Sequence, residues 1–144
     1  MYLQMKVLIA DDDLVSRRLL QSYLQKWDYE VAVAKNGAEA WQMLQDEEFS
    51  MVICDWMMPE LDGPDLIRRI RASTKPGYVY TILLTGKSRK DDLVEGMQSG
   101  ADDFVSKPFD HDELRVRLRA GERIINLEHS LRAAQVALEN QTTP

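Results

Sequence analysis

Short apolar runs alternate along the chain with longer segments in which apolar residues recur three and four positions apart. Residues 7–10, 31–34, 51–54, 81–84 and 104–106 are mostly apolar and often β-branched, the pattern of strands covered on both faces. Between them, 14–27, 38–44, 66–70 and 93–97 carry helical spacing. Asp13 is placed to cap the first helix, Gly63-Pro64 puts proline at the start of the third, and Asp110 with Glu113 has capping-box spacing before the last. Asn36-Gly37 and Pro76-Gly77 mark turns. Strict strand–helix alternation predicts right-handed crossovers and a doubly wound α/β fold, a five-stranded parallel sheet with helices on both faces. Ligands of such sheets bind beyond the C-terminal strand ends.

Composition narrows the function classes. A chain of 144 residues with 44% hydrophobic content supports one core and an appendage. Its net charge of −6 argues against direct nucleic-acid contact, which needs a basic patch. The single cysteine, Cys54, excludes an internal disulfide and reads as a small core residue. Without a leader pattern or an apolar run near membrane-spanning length, the expectation is a soluble, cytoplasmic protein with no membrane partner.

Chemistry concentrates where the strands end. The first runs into Asp11, Asp12 and Asp13, the third into Asp55, the fourth into Thr85, and the fifth is followed by Lys107. Three adjacent carboxylates repel one another, and burying a strand does not require them. A cation explains them, and hard oxygen ligands suit Mg²⁺, which accepts a few carboxylates and keeps several waters. Lysine and a threonine hydroxyl are suited to phosphoryl oxygens, and an aspartate can act as nucleophile to give an acyl phosphate.

In order and spacing, VLIADDD, MVICDWMMPELDG, ILLTG and DFVSKPF resemble the receiver domain of two-component response regulators over residues 5–122. The resemblance implies strand order 2-1-3-4-5, a flavodoxin-like arrangement. It implies that Asp55 accepts phosphate from a sensor histidine kinase or phosphotransfer protein. Asp12 would bind Mg²⁺ directly, Asp11 mostly through water, and Asp55 and the Met57 backbone carbonyl would complete the protein's share. Thr85 and Lys107 would hold the phosphoryl oxygens, and Thr85 with Phe104 would form the switch. Phe104 stands where many relatives carry tyrosine, so ring burial rather than a hydroxyl contact would report the state. Met57 and Lys87 fall at positions that tune acyl-phosphate hydrolysis. Such a domain is a signalling module, not an enzyme acting on other substrates; it catalyses only its own phosphorylation and dephosphorylation.

Other readings of the same residues fare less well. Asp11 to Val15 also fits the D-x-D-x-V opening of haloacid-dehalogenase-type phosphatases, with Asp11 as nucleophile and Asp102-Asp103 as a metal pair, but that reading leaves Asp55 idle. Gly86-Lys87-Ser88 lacks the earlier glycine of a P-loop, since Thr81 stands there. His111 and His129 are assigned no role. Trp27 and Trp41 read as packing, while Trp56, beside Asp55, offers a fluorescent reporter.

The last helix should bury Leu114 and Leu118 and then continue. Ala120, Ile124, Leu127, Leu131, Ala134 and Leu138 are spaced alternately four and three apart, a coiled-coil seam of about two and a half heptads. A lone helix cannot bury that stripe, so a homodimer through Ile124, Leu127, Leu131 and Leu138 is expected. Gly121 reads as a weak point at the junction. The organisation is therefore a receiver domain at 1–122 and a helical linker or dimerisation extension at 123–144. The resemblance favours a longer regulator, with a diguanylate cyclase as output; a stand-alone regulator is the alternative.

Overall fold

The structure is a computed structural model, and it describes residues 4–86 and 90–142. Strands β1 (Lys6–Ala10), β2 (Glu30–Ala34), β3 (Met51–Asp55), β4 (Tyr80–Thr85) and β5 (Asp103–Ser106) form one parallel sheet in the order β2-β1-β3-β4-β5. Helices α1 (Leu14–Lys26), α2 (Gly37–Asp46), α3 (Gly63–Ala72), α4 (Lys90–Ser99) and α5 (His111–Thr142) connect and flank the strands. This is the doubly wound fold that the alternation predicts.

The interior strands β1, β3 and β4 are buried on both faces, and two apolar layers follow from that. One contains Leu8, Val52, Leu66, Ile67 and Leu83; the other contains Ile9, Leu20, Leu24, Ile53, Leu84, Leu114 and Leu118. The edges differ from the expectation of strands covered on both sides: β2 is mostly half-buried and Ser106 of β5 is exposed. Edge strands have only one neighbour, so a β-branched run there does not imply full burial.

Helix starts are fixed by side-chain caps. Asp13 accepts from the Ser16 N–H at 3.3 Å, Asn36 from Glu39 at 2.8 Å and Asp62 from Asp65 at 2.9 Å, each supplying a donor-rich helix end with an acceptor. Asn36-Gly37 is thus the start of α2 rather than a free turn, and Asp62 caps α3 ahead of Pro64 in its first turn. Asp110 accepts from the Asp112 N–H at 2.7 Å just before α5.

Two helices depart from their sequence patterns. On α4, Leu93, Val94 and Met97 are exposed, while Gly96 and Ser99 face the core. The helix seats through a glycine because the Phe104 ring occupies the space beside it. A Cβ at Gly96 would lie 2.5 Å from that ring. On α5, Gly121 is buried, and a Cβ there would come within 2.7 Å of the Tyr80 ring and 2.9 Å of Met51 Sδ. Close approach to the sheet, not a loose junction, explains this glycine. The helix runs unbroken past residue 122, and Ile125 still packs against the second layer.

Candidate functional site

Parallel register brings the strand ends level. Ala10 pairs with Cys54, Asp55 with Leu84, and Thr85 with Ser106, so Asp11, Asp55, Thr85 and Lys107 come to one edge of the sheet within a residue of each other. The Lys107 N–H donates to the Thr85 carbonyl at 2.8 Å, which continues the β4–β5 ladder to the site. The Lys107–Pro108 peptide bond that follows is cis.

One ammonium bridges two carboxylates. Lys107 Nζ donates to Asp55 Oδ2 at 3.0 Å and to Asp11 Oδ2 at 3.1 Å. Asp11 is wholly buried, and its other oxygen accepts the Asp13 N–H at 3.0 Å. Asp55 is half-buried and Asp12 exposed. One carboxylate oxygen from each of Asp11, Asp12 and Asp55 can be chosen so that all three lie within 4.8 Å of one another.

The electrostatics follow from this crowding. Burial raises the proton affinity of the Asp55 carboxyl; the Lys107 hydrogen bond lowers it, but the Asp11 charge adds to burial, and the net shift is upward. Burial alone would make Lys107 easier to deprotonate, yet its bonds to Asp55 and Asp11 and their charges outweigh that and hold the ammonium more firmly. A cluster of oxygen donors with excess negative charge fits Mg²⁺. Both Asp11 oxygens and one Asp55 oxygen accept hydrogen bonds, and Asp11, Asp12 and Asp55 are the residues that could hold such an ion.

Thr85 is buried at the end of β4. Phe104 is half-buried against the first layer, beside Gly96 and near Trp56, which is itself buried next to Asp55. The Met57 side chain is exposed. Lys87 lies outside the described residues. Sequence reading missed Arg17, whose guanidinium donates to the Asp11 carbonyl at 2.9 Å. A lone arginine six residues on, in the second turn of a helix, carries no pattern that could have found it.

Asp102 and Asp103 are at the other end of β5, where Asp103 pairs with Ile82. Asp102 takes the Arg71 guanidinium at 2.6 Å and the Thr81 N–H at 2.8 Å, and Tyr78 donates its hydroxyl to it. Arg71 also donates to Gly100 and Val79 carbonyls. Asp102 ties α3 to β4, Asp103 meets Arg117 of α5 at 3.4 Å, and neither is beside Asp11, as a phosphatase metal pair would be.

The chain matches the response regulator receiver domain family over residues 7–119 and belongs to it. It is 36% identical over 115 residues to the transcriptional regulatory protein SrrA of Staphylococcus aureus, an alignment covering 80% of this chain and 46% of the relative. The chain thus spans a little under half the length of that relative. The receiver domain of Francisella response regulator 1452 superposes with a TM-score of 0.78 at 31% identity, covering 83% of this chain and 98% of the other. A probable two-component response regulator/GGDEF domain protein gives a TM-score of 0.79 at 27% identity, covering 85% and 51%. The fold and family together define a phosphoacceptor signalling domain of two-component systems. No helix among the described residues is long and apolar enough to cross a membrane.

Proposed function

We propose that Asp55 is the phosphoacceptor and that phosphate on it changes the surface formed by α4, β5 and α5. The observation that carries this reading is the Lys107 ammonium held between Asp55 and Asp11, with three carboxylates gathered at one sheet edge. The donor is the phosphohistidine of a sensor histidine kinase or phosphotransfer protein. An Asp55 oxygen attacks phosphorus, the P–N bond breaks, and the histidine nitrogen leaves. Lys107 and the Thr85 hydroxyl take the non-bridging phosphoryl oxygens, where their positive charge and hydrogen-bonding capacity favour the transferring group. Asp11, Asp12, Asp55 and the Met57 carbonyl would hold Mg²⁺, which would supply positive charge to offset the carboxylates and the phosphoryl oxygens. Leu14, Val15 and Leu19 give the adjacent first turns of α1 an exposed apolar face on which a donor can dock.

On phosphorylation Thr85 is drawn toward the phosphoryl group and Phe104 turns into the space that Thr85 vacates. Leu93, Val94 and Met97 on α4 and Val116 on α5 are exposed apolar residues on the surface so altered. The domain acts in the cytoplasm and contacts neither membrane nor nucleic acid directly. It works within a longer regulator, and residues from 123 onward serve as a linker that pairs with a second copy through Ile124, Leu127, Leu131 and Leu138. A GGDEF-type output, as in one structural relative, fits such a helix. Phosphorylation alters the geometry or strength of that pairing.

The experiment is incubation with acetyl phosphate and Mg²⁺, followed by intact-mass measurement. The parent gains one phosphoryl group and Asp55→Asn gains none; equal labelling of the two would overturn the assignment. Polar substitution of Leu127 and Leu131 should give monomer in light scattering while labelling persists.

A further inference from the structure

Asp11 is held at every polar atom, and each grip comes from a different part of the chain. Its N–H donates to the Ala34 carbonyl of β2 at 3.2 Å, and its carboxylate accepts from the Asp13 N–H and from Lys107. The remaining group, its carbonyl, accepts from the Arg17 guanidinium at 2.9 Å. Arg17 is half-buried, and its own N–H donates to the Asp13 carbonyl at 2.9 Å, so the side chain turns back over the start of α1 from a fixed base. An arginine on a carbonyl differs from Lys107 on the carboxylates: it brings a permanent charge to the acidic edge and leaves the carboxylate oxygens to other partners. That carbonyl belongs to the peptide joining Asp11 to Asp12. Asp12 is exposed, so this peptide rather than core packing sets the direction of its carboxylate.

We propose that Arg17 is a positioning residue of the acidic site: by pinning the Asp11–Asp12 peptide it keeps the Asp12 carboxylate where it meets those of Asp11 and Asp55, and so strengthens the hold on Mg²⁺. This rests on the reading of those three aspartates as the residues that hold the ion. One oxygen from each fits within 4.8 Å, a spacing that the carboxylates adopt against their mutual repulsion. Lys107 offsets that repulsion from the side of Asp11 and Asp55, whose oxygens it bridges. Arg17 offsets it from the side of Asp12, one peptide away, and does so through the backbone. Replacing Arg17 therefore leaves all three carboxylates in the chain and changes only how Asp12 is presented to them. Partners that orient a metal's ligands in this way are worth about 10–100-fold in affinity.

Mg²⁺ affinity, read from Trp56 fluorescence, tests this in the parent, Arg17→Met, Arg17→Lys, Asp12→Ala and the Asp12→Ala/Arg17→Met double variant, with urea unfolding in metal-free buffer to show that each is folded. Methionine keeps an unbranched stem without donor or charge; lysine keeps both. Arg17→Met should weaken the affinity about tenfold, Arg17→Lys should recover part of that, and in the Asp12→Ala background Arg17→Met should have no further effect. Unchanged affinity in folded Arg17→Met overturns the proposal, as does an equal loss in the methionine and lysine variants. An additive loss in the double variant overturns it too, since Arg17 would then not act through Asp12. Should Arg17→Met fail to fold, Arg17→Gln, neutral and too short to span the same distance, takes its place with the same expectations. A parent whose Trp56 signal ignores Mg²⁺ overturns the metal reading itself, whereas a parent that binds no better than its Arg17 variants overturns the role of Arg17 alone.

Discussion

Lys107 Nζ stands 3.0 Å from Asp55 Oδ2, although 52 residues separate them in sequence. The contact does not fully offset the burial of Asp55 or its proximity to Asp11, so the Asp55 carboxyl holds its proton more tightly in the folded chain than in the unfolded one. The folded state then binds more protons over that interval. Stability falls as pH rises from the ordinary aspartate value through the raised folded one. Asp55→Asn removes this loss. In metal-free buffer at neutral pH it should unfold at a higher urea concentration than the parent, and the difference should shrink as pH drops below the ordinary aspartate value. A parent more stable than the variant under those conditions would contradict the account.

Removing Lys107 should act in the opposite direction. Lys107→Ala leaves Asp11 buried and facing Asp55 without a cation, at a cost of about 1–3 kcal/mol. Mg²⁺ should recover part of that loss. Urea unfolding with and without Mg²⁺ measures both effects, and a variant as stable as the parent in metal-free buffer would refute the bridging role.

Mg²⁺ binding is open to Trp56, which is buried beside the acceptor. Titration of the parent should change its fluorescence, and Asp12→Ala should weaken the apparent affinity by at least about tenfold, the lower end of what loss of a partner costs at a metal site. Unchanged affinity would exclude Asp12 as a direct ligand.

The Asp102 cluster gives a contrast. Asp102→Asn removes the charge that Arg71 meets and disturbs a half-buried network, so it should cost about 2–3 kcal/mol. Burial, with Asp102 beside it, pushes the Tyr78 hydroxyl up to about 12, so the network keeps its phenol protonated across the neutral range. Labelling by acetyl phosphate should survive the substitution. Loss of labelling in a folded Asp102→Asn protein would revive the phosphatase-type reading.

Gly121→Ala pits helix propensity against packing. Alanine gains about 1 kcal/mol in a helix interior, while a Cβ forced against Tyr80 and Met51 costs about 1–3 kcal/mol. Net destabilisation of about 1 kcal/mol is expected from urea unfolding, and a stabilised variant would mean that α5 stands off the sheet.

The sheet and the acidic edge were legible because both leave local signals: β-branched runs of strand length, and carboxylates immediately after them. Parallel pairing converts those signals into one site, since residues that end neighbouring strands must come together. What the sequence hides is contact between distant segments. Arg71, Tyr78, Thr81 and Asp102 meet across α3, β4 and β5 with no periodicity to announce it. Leu93 and Met97 have the spacing of a buried helix face, yet Gly96 faces the core because Phe104, on another strand, needs its space. Gly121 was misread for the same reason, its partners lying on β3 and β4.

Chemical mapping of the phosphorylated residue distinguishes Asp55 from the neighbouring aspartates. An acyl phosphate is reduced by borohydride to an alcohol, which turns the modified aspartate into homoserine and marks its position in a peptide digest. After treatment with acetyl phosphate and Mg²⁺, homoserine should be found at position 55 and at neither 11 nor 12. Homoserine at position 11, with Asp55 unchanged, would contradict the account.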